Sequence, residues 1–75
     1  MSNFYSLKDC SNSDYLRRLL FDKHISRGAQ IISVVFLNDG NSACITVLEE
    51  DKRVYQFIFE YSNQTWKFME MLKVA

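Results

Sequence analysis

The sequence predicts an α+β fold in which one N-terminal helix packs on a four-stranded antiparallel β-meander, in the order α-β-β-β-β. Three observations predict it. A helical apolar spacing opens at Tyr15, Leu16, Leu19 and Leu20. Beyond residue 30 the apolar residues come in short runs rich in Val, Ile, Phe and Tyr, too short for good helices and suited to strands. Turn-forming clusters at 38–41, 50–52 and 62–64 separate these runs, and such short connections make neighbours in sequence neighbours in space.

Residues 1–12 read as a partly ordered arm, mixing Phe4, Tyr5 and Leu7 with polar residues. Ser11, Asn12 or Ser13 is expected to cap the helix by accepting free N–H groups of its first turn, and Asp14 to sit at the positive end of its dipole. From Tyr15 one side is apolar, with Arg17, Arg18 and Asp22 around the other. At 100° per residue Lys23 then falls on the apolar face while Phe21 and Ile25 point away. Either the helix ends near His24 or Lys23 snorkels past the core edge, and Gly28 is the expected left-handed terminator.

The run 30–37 carries Ile31, Ile32, Val34, Val35 and Phe36, apolar on both sides, and predicts a strand covered on both faces. Asn38-Asp39-Gly40-Asn41 has the chemistry of a hairpin turn, which returns the chain into a second strand over 42–49. Residues 54–61 alternate strictly, with Tyr55, Phe57, Phe59 and Tyr61 facing one way and Val54, Gln56, Ile58 and Glu60 the other. The final element, 65–74, fits a strand or a helix. We assign a strand, because a short polar turn continues the meander and Trp and Phe favour sheets. Strict alternation would put Trp66, Phe68, Glu70 and Leu72 on one face and Lys67, Met69, Met71 and Lys73 on the other.

A chain of 75 residues has room for one domain, and a hydrophobic fraction of 48% is ample for folding. So small a core is marginal, so reinforcement is expected. Cys10 and Cys44 form no CxxC pair and follow no signal peptide, so both are expected to be reduced thiols in a cytoplasmic protein. The single histidine, His24, lacks companions for a metal site, and no cofactor is implied. No apolar stretch is long enough to span a bilayer, and no membrane association is expected. Self-association remains as the expected reinforcement. Nine basic residues balance nine acidic ones, so no global attraction to polyanions arises.

Chemistry-bearing patterns are few. The stripe Tyr55, Phe57, Phe59, Tyr61 forms a flat platform for stacking, but a sheet needs such rings to pack beneath its helix, and core packing is the expectation. Arg17, Arg18, Lys23, His24 and Arg27 read as the solvated side of the helix. His24 with Cys10 has no local motif of a thiol enzyme, and Glu49-Glu50-Asp51 lacks the ligand spacing of a calcium loop. We expect no catalytic activity.

The sheet predicts more than its side chains do. One short helix covers one face of four strands, whereas 30–37 and 42–49 are apolar on both. The expected function is a small non-catalytic protein-interaction module, a regulator or inhibitor that acts through a sheet face or edge, as a homodimer or on another protein. Its candidate partner-binding residues are Trp66, Phe68, Met69, Met71, Arg17, Arg18 and Arg27. The alternative is a small nucleic-acid-binding protein using the basic helix 17–27 or the aromatic strand 55–61.

Overall fold

The computed structural model describes residues 7–75, which form one helix, α1 (Leu7–Lys23), and four strands, β1 (Gln30–Leu37), β2 (Ser42–Leu48), β3 (Val54–Ser62) and β4 (Thr65–Lys73). The strands make one antiparallel sheet in the order β1-β2-β3-β4, so the α-β-β-β-β meander is the fold and 65–73 is a strand. Phe4 and Tyr5 of the expected arm lie outside the described residues.

The helix starts earlier than the capping residues suggested. Ser11, Asn12 and Ser13 lie inside α1. The reason is length. A nine-residue strand is about 30 Å long, and a helix begun at Asp14 would cover only about half of it, whereas 17 residues span about 25 Å. The helix ends beside His24, as one of the two expected alternatives had it, but its terminator differs. The chain leaves the helix after Lys23, Ile25 N–H bonds back to the Leu20 carbonyl at 2.9 Å, and Gly28 does not take a positive φ. Once off the helix, Ile25 turns inward and is buried, while Phe21, still helical, is exposed as its phase requires.

Leu16 and Leu20 are fully buried against the helix-side face of the sheet, where Ala43, Ile45 and Val47 of β2 and Phe57 and Phe59 of β3 form the core. The stripe from Tyr55 to Tyr61 therefore faces the helix. Phe57 and Phe59 lie beneath α1 and offer no open stacking platform.

One small residue sets how the core closes. Phe36, Ala43, Phe59 and Phe68 form a cross-strand row, in which only Ala43 is small. Phe36 and Trp66 come from the two edge strands, yet their ring centroids lie 6.1 Å apart. They meet because Ala43, 1% exposed, leaves the space above β2 open. Trp66 also packs on Tyr61 at 5.1 Å, with its ring N–H buried and unpartnered among the described residues. The buried ring has to outweigh the desolvation of that N–H, which costs about 1–3 kcal/mol.

Both edge strands are bulged. In β1 the register slips between Ile31 and Ser33, leaving Ile32 unpaired, and in β4 Ile58 pairs with Glu70 but Phe59 with Phe68, leaving Met69 unpaired. The second bulge re-phases β4. Trp66, Phe68, Met71 and Lys73 share the helix-side face with Tyr61, Phe59, Phe57 and Tyr55, and Lys67, Glu70 and Leu72 share the outer face with Glu60, Ile58 and Gln56. The division into Trp66, Phe68, Glu70, Leu72 and Lys67, Met69, Met71, Lys73 is thus corrected at its C-terminal half. No helix among the described residues is long and apolar enough to cross a membrane.

The turns hold non-glycine residues in left-handed backbone, including Lys52 (φ 70) and the pair Asn63 (φ 51) and Gln64 (φ 64) of the two-residue β3–β4 turn. Asn suits this region and Gln does not. Gln64→Gly is expected to stabilise the fold by about 1 kcal/mol, read as a raised urea midpoint. Ala43→Leu is expected to destabilise it by about 1–3 kcal/mol, since the added carbons must occupy the space where Phe36 and Trp66 meet.

Candidate interaction surface

The helix leaves most of β4 open. Of the nine residues of β4 only Trp66 is buried, although Phe68, Met69, Met71 and Leu72 are among the others. Phe68 projects from the helix-side face at the helix margin, where its ring lies 4.7 Å from His24 and 5.7 Å from Phe59. His24 is thereby placed as a packing group, also 6.0 Å from Phe57. Cys44, a free thiol, pairs with Val35 and Ile58 on the outer face, on the other side of the sheet from this ring cluster, and burial raises its pKa.

At the end of the strip an open cleft of about 370 Å³ is lined by His24, Ser26, Tyr55, Phe57, Met71 and the acidic β2–β3 turn. Two of its three acids, Glu49 and Asp51, are tied into the fold. Glu49 accepts hydrogen bonds from the Ser26 hydroxyl (2.7 Å), the Ser26 N–H (3.1 Å) and the Glu50 N–H (3.1 Å). The Ser26 hydroxyl is the main reason the Glu49 carboxyl is held below the ordinary carboxylate range. Asp51 accepts from the Arg53 N–H at 2.9 Å and from the Tyr55 hydroxyl at 3.1 Å. The Tyr55 pKa is raised by desolvation first and by that hydrogen bond second. These contacts clamp the α1–β1 connection and strand β3 to one turn. Among the described residues no three His, Cys, Asp or Glu groups are arranged to hold a metal ion.

The expected partner-binding residues separate into three sets. Phe68, Met69 and Met71 come together on the exposed strand. Trp66 does not join them: it is 7% exposed and belongs to the core, because its ring is large enough to reach Phe36. Arg17 and Arg18 are exposed on α1 and Arg27 on the α1–β1 connection, with the Arg17 Nε–H donating to the Ser13 hydroxyl at 3.3 Å. Leu72, exposed on the outer face of the same strand, belongs with the first set, and its run of neighbours from Phe68 was the available signal.

The outer face is left open by the described residues. Val35 and Leu37 are exposed there, around a centre in which the Gln56 amide donates to the Thr46 hydroxyl at 3.4 Å. It is more polar than the doubly apolar strand runs implied, since Ser33, Thr46, Gln56 and Glu60 are interspersed along it. No protein-family model matches the chain, and no curated protein or solved structure is significantly similar to it.

A carboxyl held below its ordinary value stabilises the fold above that value, and the contribution is lost as pH falls through the lowered folded-state value. Urea midpoints are therefore expected to fall on acidification through the carboxylate range. Ser26→Ala is expected to make that fall shallower, since it removes the largest cause of the shift at Glu49.

Proposed function

We propose that the protein is a small non-catalytic protein-interaction module, a cytoplasmic regulator or inhibitor that works through the β4 side of its sheet and forms a homodimer. One observation carries this reading: a nine-residue strand that the chain's only described helix leaves uncovered, with Phe68, Met69, Met71 and Leu72 exposed. Contiguous exposed apolar groups of this kind mark contact surfaces on soluble proteins, and aromatic and Met side chains are enriched at the centres of such contacts. The tethered acids of the β2–β3 turn and the packed His24 support a structural rather than a chemical role for the polar groups nearby.

Light scattering and sedimentation at micromolar concentration test the reading. The wild-type chain is expected to be dimeric. Met69→Ser/Met71→Ser, which alters only half-exposed side chains, is expected to keep the far-UV spectrum and weaken association by about tenfold or more. A strictly monomeric wild type that binds hydrophobic dye weakly would contradict the proposal.

A further inference from the structure

The bulge at Met69 gives β4 a property that a regular strand lacks. Lys67 and Glu70 are three residues apart, so unbroken alternation would send them to opposite faces. Their partners across the ladder are Glu60 and Ile58, two residues apart on β3, so with Met69 unpaired both charges stand on the outer face. Lys73 pairs with Tyr55 and belongs to the helix-side face. Lys67 and Glu70 are exposed, and neither has an ion-pair or hydrogen-bond partner among the described residues.

We propose that β4 meets β4 of a second copy of this chain across a two-fold axis normal to the sheet, passing between Phe68 and Met69. The proposal rests on the reading above that the protein self-associates, and it names the contact. In antiparallel order Phe68 then lies against Met69 of the second copy. Lys67 lies against Glu70 of that copy, and symmetry makes the same pair twice. An axis normal to the sheet keeps the two outer faces on one side, so the shared face of Lys67 and Glu70 is the condition for both pairs to form.

Among the registers that oppose two charged residues of β4, only this one pairs opposite charges on one face. An axis through position 67 or 70 opposes like charges, and one that sets Glu70 against Lys73 brings together side chains on opposite faces. The chosen register puts Phe68 and Met69 at an apolar centre with charged pairs at its margin, the usual anatomy of a protein contact. The bulge interrupts the strand edge at the axis, so side chains carry the contact rather than a continuous hydrogen-bond ladder. A two-fold contact of this kind uses the same strand on both copies and closes at two.

Charge reversal tests the register. Lys67→Glu and Glu70→Lys, each checked by circular dichroism for an unchanged fold, are each expected to raise the dimer dissociation constant at least about tenfold. Mixed with each other they are expected to form a heterodimer, since one copy then presents two acids to two lysines. The double variant Lys67→Glu/Glu70→Lys is expected to regain wild-type association. Single variants that dimerise like the wild type would overturn this contact and leave self-association standing, as would a mixture and a double variant that both stay monomeric. A monomeric wild type would overturn the contact and the homodimer together.

Discussion

A single helix is narrower than the sheet it must cover. Four strands at about 4.8 Å spacing make a surface about 19 Å wide, and one helix with its side chains is about 10 Å across. The buried residues follow from this mismatch. Leu16 and Leu20 of the helix, with Ala43, Ile45 and Val47 of β2 and Phe57 and Phe59 of β3, make up the sealed core, and β4 contributes only Trp66 to it. That one residue fastens the strand because its ring spans the room above Ala43 to reach Phe36. Helix length is matched to strand length in the same way, with α1 running to 17 residues.

Much of the fold was legible in the sequence because its signals are local. Asn38-Asp39-Gly40 and Asn63-Gln64 adopt left-handed turns, and the β-branched and aromatic runs between them become strands. The N-terminal boundary of α1 was not legible. Ser11, Asn12 and Ser13 favour capping locally, but the length of the sheet lets packing override that preference. Ile25 was placed outward because helical phase was extended past the point where the chain leaves the helix at Lys23.

The candidate surface was legible in part, and the missing part has a physical cause. Phe68, Met69 and Met71 stood out by composition, and the structure exposes all three. Trp66 has the same apolar character, but whether such a ring is core or contact depends on the size of a residue two strands away, which no reading of β4 alone supplies. The face of each β4 side chain was misjudged beyond Met69 because alternation assumes one residue per rung. A bulge adds a residue without adding a rung, so Glu70, Met71, Leu72 and Lys73 all change sides at once.

That change of sides bears on how a chain of this size manages its strand edges. An open edge strand with apolar side chains invites further strands, and the usual defences are charge and irregularity. Here Ile32 interrupts one edge and Met69 the other, while Lys67, Glu70 and Lys73 charge the second. Irregularity blocks unlimited ladder growth, but it leaves Phe68 and Met71 in water, an exposure that a small core is poorly placed to carry. A contact that closes after one partner relieves that exposure without reopening the edge. Because binding to the folded state alone adds to folding stability as the partner concentration exceeds the dissociation constant, the proposed dimer would make association and folding one linked equilibrium.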